Sequence, residues 1–236
     1  MPDQFQRFKA IVASSSIEKL GRCHVAVFGL GGVGGHACEA LVRSGIGEIT
    51  LIDNDVVDVT NINRQLIATH SAIGKNKVDV MKSRLLDINP NLVVHKYQMF
   101  YLPENKEIDF KSFDYVIDAI DTVSGKVGLI ENCYRNNIPV ISALGCGNKM
   151  DPTRLEVADI YKTSYDPLAK VLRKLLKEKD IKHLKVVYSK EEPLDIVEPF
   201  NNNDNGRHSP GSSAFVPPVA GIILASEVIK DLLKSR

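Results

Sequence analysis

Residues 23–55 read CHVAVFGLGGVGGHACEALVRSGIGEITLIDND, and this order of residue types decides the fold. The stretch 23–29 is short, apolar and β-branched, as expected of a strand buried on both faces. It runs directly into GLGGVGG (29–35) and then into HACEALVRSG, whose apolar residues recur at helical spacing. EITLID (48–53) supplies a second strand.

Outward from this strand, glycine turn, helix and strand, the alternation continues. Helices are expected over 75–88 and 124–136, and strands over 92–97, 115–121 and 138–143. The pattern predicts a doubly wound α/β fold, a mainly parallel Rossmann-like sheet with helices on both faces. Towards the N-terminus, Phe5, Phe8, Ile11 and Val12 recur at helical spacing, which predicts one amphipathic helix within 1–22 packed on the core. Beyond Pro152 the rhythm weakens to strands at 155–160 and 184–189 and helices at 167–179 and 219–233. One domain is expected over 1–236: the N-terminal helix (1–22), a nucleotide-binding core (23–150) and a C-terminal extension facing the substrate (151–236). Residues 189–213, rich in Pro, Asn and Gly, are expected to form a mobile loop within that extension.

Composition narrows the function. The 236 residues are 44% hydrophobic and 25% charged, so disorder and small disulfide-stapled scaffolds are excluded. Thirty Lys and Arg against 29 Asp and Glu leave a formal charge of +1, so a polyanion must be met locally. One local surplus exists: residues 170–190 carry eight Lys or Arg against Glu178 and Asp180. Such a run is a solvated helix face or a contact for phosphate backbone. No apolar run is long enough to span a bilayer and no secretory signal opens the chain, so a cytoplasmic protein without a membrane partner is expected. Cys23, Cys38, Cys133 and Cys146 form no C-x-x-C pair, which argues against a zinc tetrathiolate.

The candidate site begins at the glycines. Gly29, Gly31, Gly32 and Gly34 let backbone amides approach a phosphate at a helix N-terminus, and Asp53, 19 residues after Gly34, can accept from ribose hydroxyls. These features alone suit NAD equally well. The choice rests on LIDNDVVDVTNINRQLIATHSAIGKNK (51–77), where Asp53 and Asp55 precede Asn61, Arg64 and Gln65, with Lys75 and Lys77 opening the next helix. Attack on the α-phosphate of ATP builds negative charge that Arg and Lys clamps stabilise, whereas hydride transfer has no use for them. Asp121, closing the strand YVIDAID, can hold a magnesium ion bridging phosphates. Arg64, Lys77 and Asp121 are the candidate catalytic residues. Taken singly, Asn61 and Asp121 also read as helix caps, and Arg64 and Lys77 as surface charges.

GLGGVG, LIDNDVVDVTNINRQ, GKNK and DAID together resemble the ubiquitin-activating-enzyme-like superfamily of adenylating enzymes (the ThiF-like domain). INPNL (88–92), DAIDTVSGKVGLIENCYRNNIPVIS (118–142), MDPTRLEVADIYKTSYDPLAKVLRKLLK (150–177) and GSSAFVPPVAGIILASEVI (211–229) resemble its tRNA threonylcarbamoyladenosine dehydratase subgroup. The resemblance implies a homodimer using magnesium-ATP on a modified adenosine of tRNA. Asp53 would hold the ribose, Asn61, Arg64, Gln65 and Lys77 the phosphates, and Asp121 the magnesium. Arg7 resembles an arginine that such dimers lend to the partner's site, and a sulfur-relay protein is a further partner the resemblance admits.

The cyclising subgroup also fits the chemistry. A carboxyl adenylate can be closed by a neighbouring carbamoyl group at high effective concentration, without an enzyme nucleophile. Activators of ubiquitin-like sulfur carriers commonly need zinc-binding cysteines and a catalytic thiol, and this chain has neither pattern. The carrier activator, an NAD-dependent oxidoreductase and a non-catalytic nucleotide scaffold are the rival readings. Cys146 in ALGCGNK as a nucleophile, His208 as a base or RNA contact, and Lys126 as a surface residue within reach of phosphate complete the candidates.

Overall fold

The structure is a computed structural model describing residues 3–105, 107–198 and 210–234. Its strands are β1 (His24–Phe28), β2 (Glu48–Ile52), β3 (Val93–Tyr97), β4 (Tyr115–Asp118), β5 (Val140–Ala143), β6 (Leu155–Asp159) and β7 (Lys185–Ser189). They form one sheet in the order β3-β2-β1-β4-β5-β7-β6, parallel except for β6 against β7. β1 lies centrally, and all five of its residues are buried, as its uninterrupted apolar run requires. The chain winds outward from β1 to β3, then returns to β4 on the other side of β1. That reversal opens a crevice beyond the carboxyl ends of β1 and β4, where doubly wound sheets bind ligands.

The helices are α1 (Gln6–Val12), α2 (Ser14–Leu20), α3 (Gly34–Arg43), α4 (Lys77–Ile88), α5 (Val123–Arg135), α6 (Pro167–Glu178) and α7 (Val216–Lys234). Side chains alternate along β1: Val25 and Val27 join a core with residues of α2, α3, α4 and α7. Ala26 and Phe28 join the opposite core with Phe110, Phe113 and residues of α5. α6 packs on α5 over the β7 end of that second face. Both faces are therefore covered, as the alternating pattern predicts.

Three expectations are corrected. The N-terminal segment is two short helices, broken at Ala13, whose φ of 69° lies in the left-handed region. The serines at 14–16 are better helix starters than interior residues. Phe5, Phe8 and Val12 pack on the core, but Ile11 is 78% exposed. β4 stops at Asp118 and not at Asp121, because the Asp118 carboxylate accepts from the Ile120 N–H at 3.2 Å and turns the chain. The last helix starts at Val216, before Pro217 and Pro218, since proline is tolerated in a first turn whose N–H groups have no intrahelical acceptor.

Candidate functional site

The glycine turn is shaped by two kinds of constraint. Gly29 has φ 89°, and a Cβ there would sit 2.5 Å from the Ala119 carbonyl oxygen; at Gly34 it would lie 1.8 Å from the Gly29 carbonyl oxygen. These two glycines let α3 and the end of β4 close on β1. Gly31 differs, because a Cβ there would meet nothing nearer than the Gln65 side-chain amide at 3.9 Å. The protein leaves this space open beside the N-terminus of α3, which no side chain of the described residues caps. Unpaired N–H groups and the positive end of the helix dipole make it suited to an anion.

A cavity of about 630 Å³ extends from here over the carboxyl ends of β1, β2, β4 and β5. Gly29, Gly31 and Gly32 line its floor, and Asp53, Asp55, Asn61, Arg64, Gln65 and Lys77 its β2 side. Asp121 and Thr122 enter from the β4 loop. Gly34 lies behind the floor and Arg7 lies outside the cavity, exposed on α1, where its guanidinium has no hydrogen bond or ion pair with another described residue.

Each polar side chain is held by its neighbours. Asp53 accepts from the Leu30 N–H at 2.6 Å and the Asp55 N–H at 2.8 Å, tying β2 to the glycine turn. Burial pushes its carboxyl above the usual range, against the pull of Lys77 and these two amides. The Lys77 ammonium, almost wholly buried, pairs with the Asp55 carboxylate at 2.8 Å. Asn61 is not the N-cap, which is Asp58; it is the N3 partner of the capping box, accepting from the Asp58 N–H at 3.1 Å, and it also lines the cavity. One Arg64 nitrogen donates to the Thr60 carbonyl at 2.9 Å and to Asn63 at 3.0 Å; the other guanidinium N–H groups have no partner among the described residues. Burial draws the Arg64 pKa down from its ordinary value.

Two buried side-chain atoms lack any hydrogen-bond partner among the described residues, Gln65 Oε1 and Thr122 Oγ1. Both residues line this cavity. Buried polar atoms are rarely left unpaired, so their concentration here marks a place built for a polar ligand. Asp121 is exposed at the rim and bonds to no described residue, leaving its carboxylate free for a cation.

The whole chain, residues 4–236, matches the ThiF family. It belongs to that family. It is 46% identical to the tRNA threonylcarbamoyladenosine dehydratase of Bacillus subtilis, over 99% of this chain and 96% of that protein. The Escherichia coli tRNA N6-threonylcarbamoyladenosine dehydratase TcdA, crystallised with AMP, superposes with a TM-score of 0.87 at 35% identity. That alignment covers 98% of this chain and 94% of TcdA. Its ATP complex superposes with a TM-score of 0.86 at 34% identity, over 98% and 93% of the two chains.

Beneath the cavity of this ThiF-family chain lies a buried charge cluster that its sequence does not announce. Lys126 reads from sequence as a surface residue, but its ammonium donates to Asp118 at 2.9 Å and to Ser142 at 3.1 Å. Ser142 also donates to Asp118 at 2.6 Å, and all three residues are fully buried. The cluster fastens α5 to the ends of β4 and β5, from which the Asp121 and Cys146 loops depart. The first aspartate of DAID is therefore structural, and only the second reaches the cavity.

The C-terminal segment also reaches the site, through Pro210, Gly211, Ser212 and Pro217. Gly221 permits this, since a Cβ there would come within 2.1 Å of the Val33 carbonyl oxygen at the start of α3. Phe100 and Leu168 add apolar side chains to the cavity lining; only the approach of separate elements in space brings them there. Cys146 lines the cavity, but burial pushes its thiol up to about 11, so it is protonated near neutral pH. His208 lies outside the described residues.

Half of the basic run 170–190 is paired with acidic groups. Arg173 donates to the carbonyls of Ile160 and Thr163, and Lys179, Lys182, Lys185 and Lys190 each pair with carboxylates. Lys170, Lys174 and Lys177 remain exposed with no ion pair to a described residue, one stripe along α6. Lys177 lies over the Tyr161 ring at 5.7 Å.

Proposed function

We propose that this chain is an ATP-dependent tRNA threonylcarbamoyladenosine dehydratase, with the cavity above β1 and β4 as its active site. The observation that carries the reading is the open, uncapped glycine cradle with Arg64 beside it, in a chain similar end to end to dehydratases, one crystallised with ATP and AMP. The substrate's threonyl carboxylate attacks the α-phosphorus of ATP, forming the P–O bond of a mixed anhydride and expelling pyrophosphate. The neighbouring carbamoyl group then attacks the activated carbonyl carbon, closing a ring, losing a proton and releasing AMP. The net change is loss of water.

Asp53 accepts from the ribose. The α3 amides, Asn61, Gln65 and the free guanidinium N–H groups of Arg64 hold the phosphates, with charge growing at the α-phosphoryl oxygens during attack. Lys77 keeps Asp55 oriented and adds positive charge behind the phosphates. The free carboxylate of Asp121 fits a hard cation, and magnesium held there would neutralise phosphate charge. Arg7, exposed and outside its own cavity, completes a neighbour's site in a homodimer. Both steps proceed without an enzyme thiol, in keeping with four buried cysteines, so a sulfur-relay partner is not needed for the chemistry. The stripe Lys170, Lys174 and Lys177 meets the tRNA backbone, and such an enzyme works in the cytoplasm; no helix among the described residues is long and apolar enough to cross a membrane.

The test is incubation of purified protein with ATP, magnesium and tRNA carrying threonylcarbamoyladenosine, followed by nucleoside mass analysis. A mass loss of one water, with one AMP formed per nucleoside converted, is expected. Unchanged nucleoside, or pyrophosphate exchange driven by a small carrier protein and not by tRNA, overturns the assignment.

A further inference from the structure

At the opposite end of the sheet from the cavity, β1, β2 and β3 begin side by side. His24 pairs in register with Glu48, and Thr50 with His95, so the side chains of all four stand on one face. Among the described residues, His24, Glu48 and His95 are the one group of three metal-ligating side chains whose donor atoms all lie within 4.8 Å of one another. His24 is the first residue of β1, about 17 Å along the strand from Gly29 at the glycine turn.

We infer that His24, Glu48 and His95 form a site for a divalent transition-metal ion of the zinc type, bridging the first three strands. The geometry is close to what such an ion needs. Glu48 Oε1 lies 3.5 Å from His24 Nδ1 and 2.8 Å from His95 Nε2. In a tetrahedral zinc site with bonds of about 2.0–2.1 Å, ligand atoms are separated by about 3.3 Å. The first separation already fits, and the second fits after a shift of about half an ångström by His95, which stands at the solvent-facing edge of the site. Two imidazoles and one carboxylate, with a fourth position open to water, are borderline donors that suit zinc and not magnesium.

The surroundings fix the buried ligand as a metal site requires. His24 Nε2 lies 2.7 Å from Thr50 Oγ1, so one ring nitrogen is engaged by the hydroxyl and the other faces Glu48. Metal-binding histidines are characteristically oriented through their second nitrogen in this way. The Phe113 ring packs edge-on against His24, with centroids 5.0 Å apart at 86°. Asp114 accepts from the His24 backbone N–H at 2.7 Å, placing a second carboxylate near the site. His95 keeps a solvent route open, its side chain being 46% exposed. All four cysteines are buried, so they offer the ion no competing surface thiol.

The test uses tag-free, chelator-treated full-length protein titrated with zinc by calorimetry, with cobalt absorption reporting coordination. One ion per chain, a raised melting temperature and visible cobalt bands are expected. Glu48→Gln and His95→Ala should each abolish all three while leaving the metal-free melting temperature and ATP binding unchanged. Thr50→Val should weaken zinc binding about tenfold. Absence of saturable binding in the parent protein overturns the inference, as does full stoichiometric binding retained in both ligand variants. Because the readouts are calorimetric and spectroscopic, the result is independent of whether the dehydratase assignment stands.

Discussion

Gly31 and Gly34 stand three residues apart, yet one leaves room for a ligand and the other lets the backbone close on itself. Gly31→Ala adds a methyl where the protein has space, so melting temperature should hold while ATP affinity falls at least about tenfold. Gly34→Ala drives a Cβ into the Gly29 carbonyl and should cost stability by about 1–3 kcal/mol or more, with nucleotide binding lost alongside. Calorimetric titration and thermal melts of the pair distinguish a ligand cradle from a merely tight turn. Arg64→Ala removes a donor facing the cavity and should lower AMP formation by about 10²- to 10³-fold with an unchanged fold. The residue-level signal is legible for Asp53, Arg64, Gln65 and Lys77, which the second strand and the loop after it carry in one run. Lys126 is illegible: its partner Asp118 lies eight residues away, but its burial depends on β5 closing over α5 through Ser142.

Among the elements, α5 and α6 carry the clearest consequences. Lys126→Met leaves the Asp118 carboxylate buried without its counter-charge and should destabilise by about 3–5 kcal/mol in denaturant titration, with Asp118→Asn added to it recovering part of the loss. Complete indifference to either change would mean that the cluster does not anchor the β4 and β5 loops. On α6, reversing Lys170, Lys174 and Lys177 to Glu should leave nucleotide affinity intact while weakening tRNA binding. The slope of log affinity against log salt should become shallower by about 2–3, as expected when three phosphate contacts are lost. Equal salt slopes would return α6 to a solvated face. The run at 170–190 looks uniform in sequence; the fold divides it, since Lys185 finds Asp231 on α7 and Lys179 finds Glu131 on α5.

For the molecule as a whole, α7 packs on α2 and α3 and also ties down the sheet. Asp231 on α7 accepts from Lys185 of β7 and from the Tyr115 hydroxyl of β4. Burial works against its ionisation, but these partners outweigh it and hold its carboxyl below the usual range. A depressed carboxylate contributes stability in full above about pH 4 and loses it as pH falls through its lower native value. Unfolding free energy should therefore decline in acid, and Asp231→Asn should flatten that decline while lowering stability at neutral pH. An identical acid slope in the variant would show that α7 is fastened by its apolar contacts alone.

What the sequence by itself determined is local: apolar runs of strand length, helical periodicity, a glycine turn, and a charged segment after the second strand. These are set by neighbouring residues along the chain, and they suffice for a doubly wound sheet and for the charged side of the cavity that follows β2. Only the tertiary structure decided which charges are spent inside the fold and which face outward. It placed Pro217 against Gly32 of the glycine turn, hid Lys126, left Arg7 outside the cavity, and gathered His24, Glu48 and His95 from three strands. Burial and ion pairing depend on groups far apart in sequence, and no local pattern encodes which of them will meet.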